Sequence, residues 1–193
     1  MKEKILTISI VSLMMLAGFG IFTSESVARS HLASAPKGPT IVDVAVAANG
    51  PGGAFEGEFD ILIAAVVATP KVAEILSGNG QHTVFAPTDG AFESLADELN
   101  LTLNELVEFL LNNTEYLEDV LLYHIAHGRL YAEDVLEKDQ INTLIRGRDG
   151  FLMQSNGVLT DNLYRDSNII VTDIEAANGI IHAIDTVVLP YLP

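Results

Sequence analysis

The chain has 193 residues, with 10 Lys and Arg against 26 Asp and Glu, for a formal net charge of −16. A surface that acidic repels phosphate backbones and anionic bilayers, so nucleic acid is excluded as the expected partner, while cations or basic partners are attracted. With 49% hydrophobic residues and no cysteine, the chain can bury an ordinary core and must hold it together without disulfides.

The first thirty residues read as an export signal. Lys2 and Lys4 form a basic start, and residues 5–22 are an almost unbroken apolar run. Small residues at Ser26 and Ala28 suit signal-peptidase cleavage after Ala28, giving a leader over 1–28. The run is near spanning length, so a retained membrane anchor is the rival reading. Gly18, Gly20 and the small-residue site favour removal, leaving no stable membrane insertion, and a cysteine-linked lipid anchor has no cysteine to use. Residues 29–39, rich in Ser, Ala, Pro and Gly, read as a disordered linker.

Residues 41–48 are too short a run for periodicity to separate helix from strand, and Asn49-Gly50-Pro51-Gly52-Gly53 ends it. The Ala-rich apolar stretch 59–69 predicts a buried helix, and Pro70 starts a second piece through Leu76. A compact strand follows over 82–86, closed by Pro87. Thr88 is placed to cap a helix over 89–99, with Asp89 near its positive end. Thr102 and Glu105 have capping-box spacing, and Leu103, Leu106, Val107, Leu110 and Leu111 form the stripe of the helix they open. Another helix covers 116–123. Past Gly128 the pattern becomes β-prone, at 141–145, 151–154, 169–174 and 180–189, punctuated by hairpin signals at Arg148-Asp149-Gly150 and Asn156-Gly157. Helices in the first half and strands in the second argue an α+β fold.

Catalytic signatures are missing: no cysteine nucleophile, G-x-S-x-G elbow, phosphate loop or calcium loop occurs. His124 and His127 are spaced H-x-x-H without the glutamate of a zinc-protease helix, and a third ligand, His182, would come from far along the chain. That trio defines the rival function, an exported metal-dependent hydrolase. Against it, His124 reads as a packed histidine at a helix end and His127 as a loop residue. Acidic pairs such as Glu56/Glu58, Asp97/Glu98 and Glu133/Asp134 read as solvated faces. Asn100-Leu101-Thr102 and Asn112-Asn113-Thr114 match glycosylation acceptors. The expectation is a non-catalytic protein with no cofactor and no bound metal.

Three stretches together resemble the fasciclin-like (FAS1) family. Residues 83–92, Thr-Val-Phe-Ala-Pro-Thr-Asp-Gly-Ala-Phe, resemble its first signature box. Tyr123-His124 resembles its central tyrosine–histidine motif, and residues 178–190, from Asn178-Gly179 through Leu189-Pro190, resemble its second box. The resemblance covers 40–190. It implies a wedge-shaped β-sandwich flanked by helices, and a secreted, extracellular or periplasmic module. The implied role is adhesion to other cells, matrix protein or polysaccharide. Within the boxes, Val84 and Phe85 should face opposite sides of a buried strand, while Ile184, Val187 and Leu189 mark a core strand.

Two sites compete for the partner. The resemblance favours Tyr123 and His124, although the tyrosine ring at the end of an apolar helix should be packed. The other site is the Gly-rich, acidic segment 50–58, which departs from the family's short turn. There Gly52, Gly53 and Gly57 suggest mobility, Phe55 an exposed anchor, and Glu56 and Glu58 its charges.

Overall fold

A computed structural model describes residues 36–147 and 150–193. The expected leader, residues 29–35 of the linker, and Arg148-Asp149 of one hairpin signal lie outside the described residues. Helices α1 (Ile41–Asn49), α2 (Asp60–Ala68) and α3 (Pro70–Ser77) come first. Strand β1 (His82–Pro87) follows, then α4 (Asp89–Glu98), α5 (Leu103–Asn112) and α6 (Thr114–Tyr123). The second half is β2 (Ile125–His127), α7 (Ala132–Leu136), β3 (Gln140–Asn142), β4 (Phe151–Ser155), β5 (Val158–Thr160), β6 (Asp166–Ala176) and β7 (Gly179–Ile184). The α+β reading and the division between the halves hold.

Local capping explains where several helices begin. Thr40 and Asp43 form a reciprocal box, the Asp43 N–H donating to Thr40 Oγ1 (3.3 Å) and the Thr40 N–H to Asp43 Oδ2 (2.8 Å). That box decides α1 as a helix. Thr102 and Glu105 do the same for α5, as their spacing predicts. Thr88 departs from expectation: it occupies the cap position of α4, but its hydroxyl makes no capping bond. Asp89 instead reaches away from its own helix and accepts the Ile61 N–H at 3.1 Å. Helix α2 begins after Phe59, which has no side chain able to cap, so a carboxylate 28 residues later satisfies one of its orphan donors. Burial pushes the Asp89 carboxyl up to about 6.

The strands form one seven-stranded sheet in the order β2-β1-β7-β6-β5-β4-β3. Every adjacent pair is antiparallel except β1 with β7, which run parallel in register from His82 opposite Gly179 to Pro87 opposite Ile184. Strand β6 pairs with β5 at one end and β7 at the other, and its register slips twice between Ile169 and Ile174. Such irregularities bend a strand. The sheet therefore folds over until its edges meet at an Ala126–Thr143 bridge, and the Leu144 N–H donates to the Ile125 carbonyl at 2.7 Å.

Two cores result. Phe85, Tyr123, Ile141, Leu152, Leu159 and Ile184 pack together between the two halves of the bent sheet. Val84, Ala86, Ile181 and Ala183 face the other way, against the helices. Val84 and Phe85 thus do face opposite sides of one strand. The expected core strand through Leu189 is shorter than its sequence suggests: β7 stops at Ile184, and the buried Val187–Leu189 backbone is irregular. Side chains satisfy that backbone in place of a ladder: the Leu189 N–H donates to Asp161 Oδ2 at 3.0 Å. Asn156 and Gly157, with φ of 53° and 84°, make the two-residue turn between β4 and β5 that their identity predicts.

Asn178 joins sheet to helices. It is fully buried, accepts the Ile41 N–H at 2.8 Å, and donates to the carbonyls of Leu76 (2.7 Å) and Gly78 (2.8 Å). One side chain thereby closes the start of α1 and the end of α3. Gly179 follows because a Cβ there would strike the His82 carbonyl and Ile41 Cδ1.

Two substitutions test this core by denaturant unfolding. Asn178→Ala strands the Ile41 N–H and two carbonyls and should cost about 2–5 kcal/mol. Phe85→Ala empties a site with 0% exposure and should cost about 3–5 kcal/mol. A midpoint unchanged in either variant contradicts the assignment.

Candidate functional site

Tyr123 and His124 end α6 and turn to different cores: Tyr123 enters the interior of the bent sheet, whereas His124 packs on the helical side. The Tyr123 ring is completely buried, and its hydroxyl donates to the Phe151 carbonyl at 2.7 Å. His124 is 2% exposed. Its Nδ1 lies 2.7 Å from the Val120 carbonyl and its Nε2 accepts the Val188 N–H at 3.2 Å. Those partners select the neutral Nδ1–H tautomer, and burial pushes the imidazole down to about 4. The pair binds α6 to β4 and to the irregular segment after β7. Neither residue presents a polar group to a partner.

His182 is also fully buried. Its Nε2 is 2.9 Å from the Leu130 carbonyl, Nδ1 accepts the Asp173 N–H at 3.2 Å, and the ring stacks on Phe85 with centroids 5.7 Å apart. Burial lowers its basicity as well. His127, expected in a loop, is an exposed residue at the end of β2, its ring 6.0 Å from that of His82. With both nitrogens of His124 and of His182 engaged by backbone, the three-histidine ligand set of the rival reading is not assembled. Among the described residues no group of three or more His, Cys, Asp or Glu is arranged to hold a metal ion.

Phe55 is placed apart from these, on the helical side. Its ring stacks on the buried Phe59, with centroids 4.8 Å apart, and is half-buried rather than projecting. Segment 50–58 is also well tied. The Phe55 N–H donates to the Ala48 carbonyl (2.9 Å), the Gly57 N–H to the Asn49 carbonyl (3.1 Å) and the Gly52 N–H to Glu56 Oε2 (3.0 Å). Asn49 closes the segment, its Oδ1 accepting the Phe59 N–H and its Nδ2 donating to Asp60. The glycines serve turns in a folded connection: Gly52 and Gly57 have φ of 76° and 72°.

The most exposed aromatic among the described residues lies elsewhere, outside both expected sites. Tyr164 is 90% exposed and sits at φ 60°, an unfavourable region for a bulky residue. The loop beneath it is densely hydrogen-bonded. Asp161, 4% exposed, accepts the N–H groups of Leu163 and Arg165 on Oδ1, and Nε, Nη2 of Arg165 and the Leu189 N–H on Oδ2. Arg165 also donates to the Val187 carbonyl (2.8 Å) and pairs with Glu98 (2.9 Å). No motif announces Tyr164. The only local signal is an Asp-Asn turn pair ahead of an aromatic, between the short β5 and the long β6.

These features define an α+β domain with a bent sheet, two cores, and signature residues turned inward. Residues 57–190 match the family described as the fasciclin domain, and the chain belongs to that family. Protein sll1483 of Synechocystis is 33% identical over 168 residues, spanning 87% of this chain and 83% of that protein. Transforming growth factor-beta-induced protein ig-h3 of Sus scrofa is 34% identical over 141 residues, 70% of this chain and 18% of that much longer protein. Among solved structures, the FAS1 domain pair of the insect cell adhesion molecule Fasciclin I superposes with a TM-score of 0.59. That match covers 78% of this chain and 51% of the other at 16% identity, so it shows the fold alone.

The buried histidine has a measurable consequence. With its pKa moved from 6.5 unfolded to about 4 folded, His124 favours the native state above pH 6.5, and that stability is lost as pH falls toward 4. Asp89, raised by burial, acts in the opposite direction, holding its proton in the folded state as pH falls below about 6. The difference between parent and His124→Gln isolates the histidine. Between pH 7 and pH 4 the parent should lose on the order of 3 kcal/mol more unfolding free energy than the variant. Parallel pH profiles would refute the burial.

Proposed function

We propose that this chain is a secreted, non-catalytic binding module that adheres to extracellular protein or polysaccharide. The observation that carries this reading is where the signature side chains spend their polar atoms. Tyr123, His124, Asn178 and His182 bond to backbone within the domain, and Asp185 accepts the N–H and Nδ2 of Asn168. Residues so committed make a rigid scaffold, and recognition falls to what the scaffold displays. Family membership and the adhesive protein from which the superposed domain pair comes support the same reading. The leader expected over 1–28 would deliver the domain outside the cell.

Tyr164 is our candidate anchor. Strained exposed residues held by over-determined loops concentrate at functional sites, and tyrosine combines a large apolar face with a hydroxyl at small entropic cost. Phe55, half-buried on Phe59, is the second candidate, and its loss should also lower stability. Tyr123 and His124 act on binding only through the fold.

Binding of the parent and variants to whole cells and to extracellular polysaccharide, with melting temperatures in parallel, tests this. Tyr164→Ala should weaken adhesion at unchanged stability. Tyr164→Gly should lose adhesion while gaining about 1 kcal/mol, because glycine accepts φ 60° without strain. Full adhesion by both variants removes Tyr164 from the site. Turnover of ester or glycoside substrates that His124→Ala abolishes would restore the hydrolase.

A further inference from the structure

The helices do not fill the space over the sheet completely. Between α1, α2 and α3 and the outer face of β1 and β7 lies a cavity of about 90 Å³. Val84 and Ile181 form its floor, and Ala45, Leu62, Val66 and Val72 its walls. Interiors normally pack without voids of this size. His124 is the one polar residue in the lining, and both its ring nitrogens are already bonded to backbone. The cavity therefore offers water no partner, and an apolar cavity without polar partners stays dry and takes apolar guests.

The void is also reachable. Val46 of α1 and Val67 of α2, two of its lining residues, are 49% and 62% exposed. They leave an apolar opening between two helices that are joined by the folded segment 50–58. Its volume is below the ~150 Å³ that admits a benzene ring in an engineered apolar cavity, so it suits the narrow end of a chain. Charge narrows the guest further. The lining holds no lysine or arginine, and the chain carries −16, so an anionic head at the mouth is repelled.

We propose that this cavity is a binding site for the hydrocarbon end of a neutral alkyl-chain molecule, whose uncharged head stays at the mouth between Val46 and Val67. This activity is separate from adhesion: the site lies on the helical side, whereas Tyr164 projects from the loop between β5 and β6.

Calorimetric titration of the full chain with octanol and with octanoate tests the assignment. Octanol should bind saturably at one site, and octanoate at least about tenfold more weakly because of the acidic surface. Ala45→Phe fills the cavity from its wall and should remove octanol binding. Val67→Glu, at an exposed position, puts a charge at the mouth and should weaken binding at least about fivefold. Circular dichroism confirms folding, and if Ala45→Phe fails to fold then Val67→Glu decides. Octanol should raise the melting temperature of the parent and not of the filled variant. Unchanged octanol affinity in the folded variants, or equal affinity for octanoate, overturns the proposal.

Discussion

His82–Pro87, from the middle of the chain, lies parallel to Gly179–Ile184 near its end, and the rest of the fold is arranged around that pairing. A parallel pair cannot be closed by a hairpin, so the intervening helices and strands all belong to its crossover. The two strands must also approach closely at their first residues. Gly179 allows this where a Cβ would strike the His82 carbonyl, and Asn178 beside it satisfies the start of α1 and the end of α3. Because successive side chains alternate, the same pair supplies both cores: Phe85 and Ile184 to the sheet interior, Val84 and Ile181 to the helices.

That arrangement also decides what the polar signature residues do. A buried polar atom without a partner costs about 1–3 kcal/mol, so histidines and asparagines inside two cores must be bonded there. His124 holds Val188 and His182 holds Leu130, in both cases fastening segments that leave the regular ladder. The same demand makes Asp161 accept five donors beneath an exposed loop, and this over-determined loop can keep Tyr164 in a conformation it would avoid in isolation. The recognisable motifs belong to the scaffold, since their polar atoms are bonded inside the domain.

Features whose causes lie within a few residues are legible in the amino-acid sequence alone. The Thr102–Glu105 box needs only its own turn of helix, Asn156-Gly157 needs only its two φ angles, and the burial of Phe85 follows from a short apolar strand. Strands β2 and β5, of three residues each, are not legible, because so short a run carries no period. Nor is the end of β7, since Val187 and Leu189 are as apolar as a strand yet bond to side chains of distant residues. In the candidate site, the packed His124 and the buried ring of Tyr123 follow from their place at the end of an apolar helix. The half-buried Phe55 does not, because its partner Phe59 is met only when segment 50–58 folds back.

The sequence by itself determined the α+β class, most helix starts, the inward–outward alternation of β1 and the family signature, all of which follow from neighbours along the chain. Only the tertiary structure decided that Asp89 caps α2 instead of its own helix, that Tyr123 and His124 have no free polar atom, and that Tyr164 stands out. Each of those depends on groups brought together by the fold, several of them tens of residues apart. Hydrogen-bond satisfaction and burial are properties of what the fold brings within about 3 Å, and separation along the chain carries no record of that distance.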